Sequence, residues 1–166
     1  MTPVQVRAAL PRDVPAIAAL VEPYVAERIL LGKHMVGYYE SVQDFLVAAD
    51  GEDVVGCGAL HVMWSDLAEV RTLAVAPQCV GTGVGHRILA ALVDRAKALG
   101  LARVFCLTFE VDFFARHGFV PIVGSVVSPQ VYEELVLSHD DGVAEFLDLA
   151  RVKPNTLGNT RMLLTL

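Results

Sequence analysis

Residues 70–89, which read VRTLAVAPQCVGTGVGHRIL, decide the fold of this chain. An apolar, β-branched run stops at Pro77, and a loop with three glycines in five residues follows, at Gly81, Gly83 and Gly85. Glycine lets backbone N–H groups turn toward one point and lets a ligand approach without interference from a Cβ atom. A helical pattern begins directly after the loop, so the unpaired N–H groups and positive dipole end of that helix face the same point. The stretch therefore predicts a strand, an anion-binding loop and a helix, with a diphosphate as the expected ligand.

The spacing of the glycines narrows the class of ligand. The third glycine comes one residue too early for the G-x-G-x-x-G pattern of dinucleotide-binding domains, and His86-Arg87 replaces the Lys and Ser or Thr of a P-loop. The segment does match Q-x-x-G-x-G over residues 78–83, shortly after a Leu73-Ala74-Val75 strand. This pattern resembles the acyl-CoA-binding motif of the GCN5-related N-acetyltransferase (GNAT) superfamily. A tight strand-to-helix turn that binds nothing is the alternative interpretation.

A second block supports the resemblance. Residues 113–119 read FFARHGF and resemble the F-Y-E-K-x-G-F segment of many of these acetyltransferases. The resemblance implies the GNAT fold, of the α/β class (mixed α+β), with a central mixed β-sheet of about six to seven strands flanked by helices. It also implies a single N-acetyltransferase domain over residues 1–166.

Within the superfamily, the chain resembles the short amino-acid N-acetyltransferases of actinobacterial type, which make N-acetylglutamate, the first intermediate of arginine synthesis. The residues that carry this likeness are 55–62, 64–67, 69–72, 107–110, 113–119, 143–149 and 152–166. Classical acetylglutamate synthases add a large amino-acid-kinase-like domain, which these residues do not contain. Feedback by arginine through such a domain is therefore not expected.

The composition excludes several classes of protein. Hydrophobic residues make up 54% and charged residues 19% of the chain, which is typical of a globular protein. No apolar run approaches the roughly 18 residues of a membrane span, and residues 1–7 lack a signal region, so we expect a cytoplasmic protein without a membrane partner. The formal net charge of −6 weighs against nucleic acid as a partner. Three cysteines without a C-x-x-C pair predict reduced thiols, no metal site is predicted, and the choice between monomer and homodimer stays open.

Periodicity predicts the remaining elements. Strands are expected at residues 4–8, 45–48, 54–63, 68–75 and 103–108, with a hairpin connection at 50–53. Asp13 is expected to cap a first helix, and Gly32 and Gly37 are expected to break the segment 26–44. A long helix should end at Gly100, and a short one should span about 112–117. The order strand, loop, helix, strand across residues 68–108 makes one parallel crossover.

The resemblance implies acetyl-CoA as co-substrate, with its diphosphate held by backbone amides at residues 79–85. Leu73 and Val75 are expected to offer backbone hydrogen bonds to the pantetheine arm, much as an added strand would. The full set of residues expected at the cofactor is Leu73, Ala74, Val75, Gln78, Cys79, Val80, Gly81, Thr82, Gly83, Val84, Gly85, His86 and Phe114. Phe114 stands where the superfamily has a tyrosine that serves as general acid, and phenylalanine cannot donate a proton. The proton for the CoA thiolate is then expected from water, from the amine or from His117.

Acetyl transfer needs a neutral amine, and an α-amino group with a pKa near ~8 or above is mostly protonated at pH 7, so a base is expected near the acceptor. Glu69 is the candidate base, because it lies on the strand leading into the loop, where related enzymes place a catalytic glutamate. Its alternative role is an ion pair with Arg71, two positions along the same strand face. Glu110 is the next candidate.

The resemblance implies the α-amine of L-glutamate as the acceptor, with glutamine as a second candidate. Two carboxylates require basic partners, and the residues expected to bind this substrate are Lys33, Arg71 and Arg161. Arg28 and Lys153 are further cations outside the cofactor helix. The alternatives are another small amine or a protein N-terminus as acceptor, and a non-catalytic acyl-CoA-binding sensor module.

Overall fold

The computed structural model describes residues 3–149 and 158–166 of the chain. The strands are β1 (Gln5–Ala8), β2 (Phe45–Asp50), β3 (Asp53–Trp64), β4 (Leu67–Val75), β5 (Arg103–Thr108), β6 (Val120–Pro121) and β7 (Thr160–Thr165). The helices are α1 (Val14–Ala26), α2 (Met35–Glu40), α3 (Val84–Ala98), α4 (Val111–Ala115), α5 (Pro129–Leu135) and α6 (Asp141–Phe146). The strands form one sheet of seven in the order β1-β2-β3-β4-β5-β7-β6.

The strand pairing confirms the mixed sheet expected from the sequence. β1 to β4 pair antiparallel in sequence order, whereas β4 and β5 run parallel and are joined through α3. That connection is the predicted parallel crossover. β7 returns antiparallel to β5 and carries β6 on its other side. The assignment of residues 1–166 to a single domain stays a prediction.

Two glycines of β3 hold α3 close to the sheet. Ile88, Leu89 and Leu92 form a fully buried apolar face on α3. A Cβ atom at Gly56 would lie 2.7 Å from Cδ1 of Ile88, and one at Gly58 would lie 2.9 Å from its Cγ2. Because both distances are below ordinary van der Waals contact, the glycines allow α3 to pack this deeply. The depth of α3 in turn places its first turn beside the end of β4.

β4 and β5 separate partway along β4. They pair over three residues only, ending at Glu69 on β4. Beyond that point β5 continues to pair with β7, and β4 continues to pair with β3. Thr72 has a left-handed φ of 57°, and the register between β3 and β4 shifts opposite Gly58. Such a bulge bends a strand, and within the described residues it leaves the β5 side of β4 without a strand partner beyond Glu69.

Two local expectations differ from the structure. Asp13 occupies the N-cap position of α1, but its carboxylate accepts hydrogen bonds from Arg7 at 2.7 and 3.0 Å and from the Leu10 N–H at 2.7 Å instead of capping the helix. A nearby guanidinium is a stronger donor than a helical N–H group. Gly37 lies inside α2 rather than breaking it, because burial of the neighbouring Tyr38 outweighs the low helix propensity of glycine.

The helices α5 and α6 have no counterpart in the sequence prediction. Both are short, and their apolar spacing is too brief to stand out as a helical period. Among residues 3–149 and 158–166, no helix has the length and apolarity needed to cross a membrane.

Candidate active site

The glycine-rich loop leaves open space beside its backbone. Gly81 and Gly83 have left-handed φ angles of 79° and 87°, and a Cβ atom at either position would meet no protein atom within 4 Å. An L side chain at these positions would be strained and would project into this space. The loop therefore lets a ligand approach its main chain directly.

Five backbone N–H groups of the loop and of α3 are available to such a ligand. In the described part of the chain, Arg87 is the first residue of α3 whose backbone N–H donates a hydrogen bond to a carbonyl, that of Gly83. The N–H groups before it that donate to no described carbonyl are those of Gly81, Gly83, Val84, Gly85 and His86. Together with the positive end of the 15-residue α3, they suit the charge of a diphosphate.

Three amides within the predicted range 79–85 are already used. The N–H groups of Cys79, Val80 and Thr82 donate to carbonyls inside the loop segment, and the Thr82 hydroxyl donates to the Cys79 carbonyl at 2.6 Å. These bonds shape the loop and do not point to a ligand. The amides available for a diphosphate are therefore those of residue 81 and residues 83–86, which extend one residue beyond the predicted range at its far end.

Aromatic rings cover the first turn of α3. His86 Nδ1 lies 2.8 Å from His117 Nε2, and the centres of the Phe113 and His86 rings are 4.6 Å apart. Burial, and then the neighbouring His86, lower the pKa of His117. Phe114 is buried and packs edge-on against Phe113 and Phe119, each at 5.2 Å between ring centres. Phe114 is thus a packing residue in this structure, and its contact with the cofactor stays a prediction.

The free edge of β4 leads from the loop toward the body of the sheet. Ala74 is buried, and Leu73 and Val75 are partly buried along this edge. The Val75 carbonyl accepts a hydrogen bond from the Tyr24 hydroxyl at 2.7 Å. One of the backbone groups expected to meet the pantetheine arm is therefore already paired, whereas the edge beyond Glu69 as a whole stays open to an extended ligand.

A cavity of about 800 Å³ opens where β4 and β5 separate, a volume typical of small-molecule sites. Its walls come from the segment after α1, from β4, from the end of β5, from the start of α6 and from Asn159 before β7. The charged residues in these walls are Glu27, Arg28, Lys33, Glu69, Arg71, Asp140, Asp141 and Glu145. Five carboxyl groups face three cations, so the walls are acidic on balance and favour an ammonium group.

An ion-pair cluster of Glu69, Arg71 and Asp140 forms part of the wall. Arg71 donates Nε and Nη2 to Oε2 of Glu69 at 2.9 and 2.5 Å, and Nη1 and Nη2 to the two oxygens of Asp140 at 2.9 and 2.8 Å. Of the five N–H groups of the guanidinium, four are thus committed. Arg71 therefore bridges β4 to the start of α6.

The cluster shifts the ionisation of its members. Burial acts to lower the pKa of Arg71, but the charge of Glu69 and the hydrogen bonds and charge of Asp140 outweigh burial and raise it. Burial acts to raise the pKa of Asp140, but the hydrogen bonds and charge of Arg71 outweigh it and hold that pKa well below its ordinary value. Arg71 and Asp140 therefore stay charged at neutral pH.

The helix α6 packs directly on this cluster. Asp140 caps it, with Oδ1 accepting a hydrogen bond from the Val143 N–H at 3.0 Å. A Cβ atom at Gly142 would lie far inside van der Waals distance of Glu69 Oε2 and Arg71 Nη2, so no other residue fits there without displacing the cluster. The same helix brings Glu145 into the cavity wall.

Burial also shifts two other ionisable groups in the wall. Burial, and then the charge of Glu69, raise the pKa of Glu145 to about 8. Burial, and then the charge of Arg71, lower the pKa of Lys33, whose ammonium lies 5.8 Å from the centre of the Phe45 ring. The cavity thus combines a carboxylate that stays ionised, Asp140, with a carboxyl group that exchanges its proton near neutral pH, Glu145.

The structure brings together most of the predicted acceptor residues. Lys33, Glu69 and Arg71 line the cavity. Arg161 is outside its walls, because its guanidinium donates to the carbonyls of Gly124 and Phe146. Glu110, the second candidate base, is exposed at the start of α4 and is likewise outside the walls.

Sequence reasoning missed the contribution of α6, and Lys153 lies outside the described residues. Asp140 followed by Asp141 and Gly142 before an apolar run is a helix-start pattern. Glu145 is an acidic residue inside the apolar run 143–149. Both signals are present in the sequence, but neither indicates that its partner is Arg71 or Glu69, about 70 residues earlier on β4.

Comparison with known proteins agrees with this geometry. Residues 20–119 match the family described as Acetyltransferase (GNAT) family. An amino-acid acetyltransferase from Mycobacterium tuberculosis is 57% identical over 164 residues, which cover 97% of this chain and 94% of the relative. Both matches include β4, the glycine-rich loop and α3.

Two solved structures are also similar. Rv2747 from Mycobacterium tuberculosis, in complex with CoA and NLQ, superposes with a TM-score of 0.94 at 56% identity, covering 98% of this chain and 99% of that chain. N-acetylglutamate synthase from Neisseria gonorrhoeae, complexed with coenzyme A and N-acetyl-glutamate, superposes with a TM-score of 0.79 at 25% identity, covering 100% of this chain and 36% of that chain. This chain belongs to the GNAT acetyltransferase family.

Proposed function

We propose that this chain transfers the acetyl group of acetyl-CoA to the α-amine of an amino acid, with glutamate, or its amide glutamine, as the acceptor. The observation that carries the proposal is the separation of β4 from β5, which connects the amide-lined loop with the charged cavity. The relatives support it, because one is an amino-acid acetyltransferase and another is a synthase solved with coenzyme A and N-acetyl-glutamate.

Acetyl-CoA supplies the thioester, and the protein positions it and the acceptor. The N–H groups of residue 81 and residues 83–86 hold the diphosphate, and the free edge of β4 around Leu73 pairs with the pantetheine arm. The amine nitrogen forms a bond to the carbonyl carbon, the carbon–sulfur bond breaks, and CoA leaves as a thiolate that takes up a proton. Since Phe114 cannot donate that proton, it comes from water or from the amine.

The acceptor is held by the charges of the cavity. Its ammonium group is favoured by the acidic walls, and its carboxylates need cations. Arg28 and Lys33 form no ion pair with another described residue, so both are available to carboxylates. Arg71, with four N–H groups committed, serves to hold Glu69 and Asp140 in place. Glutamate would use both available cations, and glutamine would use one with its α-carboxylate.

Glu69 is the base that the family resemblance implies. It faces the cavity on the strand that leads to the loop, but its Oε2 accepts two hydrogen bonds from Arg71. The ion pair with Arg71, the alternative role expected for Glu69, is therefore present. A role as base would have to use the other oxygen, Oε1.

The test is release of the CoA thiol from acetyl-CoA with a panel of amino acids and a peptide with a free N-terminus. We expect turnover with glutamate or glutamine and none with lysine or the peptide. Turnover confined to lysine or the peptide would contradict the proposed acceptor. Binding of CoA without turnover on any amine would indicate the non-catalytic acyl-CoA-binding module, which is the alternative that Phe114 favours.

A further inference from the structure

Glu145 and Asn159 each bring to the cavity a buried side-chain oxygen that has no hydrogen-bond partner among the described residues, and of the two only Glu145 is ionisable. Its side chain belongs to α6, lines the cavity, and is 5% exposed. Its Oε1 is buried and has no hydrogen bond to any residue that the structure describes. Buried polar groups are normally hydrogen-bonded, and an exception inside a substrate cavity points to a partner that arrives with the ligand.

We propose that Glu145 accepts the proton that the α-ammonium group of the acceptor loses before it attacks the thioester. The proposal rests on the proposed function, since it requires an amine acceptor in this cavity. It assigns the base to α6, whereas the family resemblance assigns it to Glu69 on β4. Arg71 occupies Oε2 of Glu69 with two hydrogen bonds, while Oε1 of Glu145 is unpaired among the described residues.

The charges around Glu145 favour this role. Glu69 and Arg71 face it from β4, and Asp140 and Asp141 face it from the start of its own helix. On β5, against which α6 packs, the titratable residues are Cys106, a buried thiol, and Arg103, which pairs with Asp66. On β7, the guanidinium of Arg161 donates to the carbonyls of Gly124 and Phe146.

Burial and the three negative neighbours, Glu69, Asp141 and Asp140, outweigh Arg71 and raise the pKa of Glu145 to about 8. The raised pKa brings Glu145 closer to the basicity of an amine than a carboxylate of ordinary pKa, so transfer of a proton from the ammonium to Glu145 is less unfavourable than transfer to an ordinary carboxylate.

The proton balance of the step is simple. The N–H bond of the ammonium breaks, its proton forms an O–H bond on the Glu145 carboxylate, and the neutral amine keeps the electron pair that attacks the thioester carbon. After the carbon–sulfur bond breaks, the thiolate takes up one proton, and Glu145 returns its own to solvent or to the thiolate. Glu69 then acts as a positioning residue, because its fixed negative charge favours the protonated form of Glu145.

The test is the pH dependence of kcat, measured with saturating acetyl-CoA and glutamate or glutamine, for wild type, Glu145→Gln and Glu69→Gln. Glu133→Gln on α5 is the matched control, because it removes an exposed carboxylate outside the cavity. Glu145→Gln should lower kcat by roughly 10²–10⁴-fold at pH 7, as expected for loss of a positioned base. The deficit should shrink toward pH 9.5, where more of the bound amine is already neutral, and CoA affinity should be unchanged.

Glu69→Gln should move the midpoint of the kcat profile to lower pH, because it removes a charge that favours protonated Glu145. Wild-type kcat in Glu145→Gln at pH 7, or a deficit that is the same at every pH, would overturn the proposal. If Glu145→Gln does not fold, Glu145→Asp replaces it and should retain the pH dependence with a lower kcat; an unchanged kcat would overturn the proposal. Wild type that acetylates no amino acid would instead reject the proposed function itself.

Discussion

The glycine-rich loop and the cavity beside it are built from different kinds of group. The loop presents backbone N–H groups from one short segment, residues 81–86. The cavity presents charged side chains from segments between residues 27 and 145, with Asn159 beyond them. The loop should therefore tolerate changes of side chain but not a Cβ atom added at Gly81 or Gly83, whose φ angles are left-handed. In the cavity, removal of a single charged side chain should change substrate binding or catalysis. Where that side chain belongs to the cluster around Arg71, its removal should also lower the free energy of unfolding.

The largest effect is expected from Gly83→Val in the loop. The backbone at position 83 has a left-handed φ of 87°, which valine disfavours, and the branched side chain would fill the space through which the cofactor approaches. We expect binding of CoA to be lost in calorimetry, and a lower melting temperature because valine is strained at this φ. Gly85→Ala is the control, because a Cβ atom there would lie 3.5 Å from its nearest neighbours, which is ordinary contact. Wild-type CoA affinity in Gly83→Val would show that the loop is not the diphosphate site.

Arg71→Ala should differ from Gly83→Val in its main effect. Its loss of folding stability should be larger than its loss of CoA affinity. The substitution leaves Glu69 and Asp140 facing α6 without their shared cation. Removal of one partner from a buried ion pair costs about 3–5 kcal/mol. We expect a loss on the order of 3 kcal/mol in the free energy of unfolding, measured by denaturant titration at pH 7.

Arg28→Ala is the control for Arg71→Ala. Arg28 lines the same cavity but is exposed, so its removal should change the free energy of unfolding by less than about 0.5 kcal/mol. Equal effects of the two substitutions would mean that the cluster around Arg71 does not hold α6 to the sheet.

Glu145→Gln should stabilise the protein, and the gain should grow as the pH rises from about 4.5 to about 8. The folded-state pKa of Glu145 lies above its ordinary value of 4.5, so the native state keeps a proton that the unfolded chain releases across this window. Wild-type stability therefore falls as pH rises through the window, and the variant escapes that loss. Since one pKa unit corresponds to about 1.4 kcal/mol and relaxation reduces the effect, we expect a difference on the order of 2 kcal/mol between unfolding measured at pH 5 and at pH 8.

Asp140→Asn should change the free energy of unfolding with a pH dependence opposite in sign to that of Glu145→Gln. The pKa of Asp140 is lowered by Arg71, so its contribution to stability is present at neutral pH and is lost as pH falls through the acidic range. Asp140→Asn should therefore cost most stability at pH 8 and least at pH 3. Parallel pH profiles for the two variants would contradict the assignment of a neutral Glu145 beside an ionised Asp140.

The smallest effect is expected from Lys33→Met. Loss of one charged partner of a carboxylate should raise the KM for glutamate by roughly tenfold, since such a hydrogen bond contributes about 1.5 kcal/mol or more. The KM for glutamine should change less if Lys33 binds the side-chain carboxylate. Lys97→Met, an exposed lysine at the end of α3, is the control. An increase of the same size for both acceptors would place Lys33 at the α-carboxylate.

The loop and the strands around it could be predicted because their signals are local. Residues 103–108 and the strand ending at Val75 alternate or run apolar between clear breaks, and α3 has a long helical period that ends at Gly100. The diphosphate site follows from glycines that are adjacent in sequence. A single sequence contains all of this information within about 40 residues.

The cavity could be predicted only in part. Glu69, Arg71 and Lys33 are close to the motifs or match the family pattern, and all three line it. Asp140 and Glu145 could not be placed, because an acidic residue near a short helix has the same appearance whether it faces water or a buried arginine. Arg161 fits the charge requirement equally well from its sequence, and only the carbonyls of Gly124 and Phe146 in three dimensions explain why it is outside.

Because the contact between β4 and β5 is short, a co-substrate bound between these strands would also add to the stability of the sheet. Three residue pairs join the four strands on one side of the sheet to the three on the other, and the rest of the seam is open. A pantetheine chain lying along that seam would bridge two halves that otherwise share few main-chain hydrogen bonds. At a CoA concentration of 100 times its Kd, binding adds about 2.7 kcal/mol to the stability of the native state. Hydrogen exchange of the backbone amides in β5 and β7 should then slow when CoA binds, because the ligand contacts both halves of the sheet and opposes their separation.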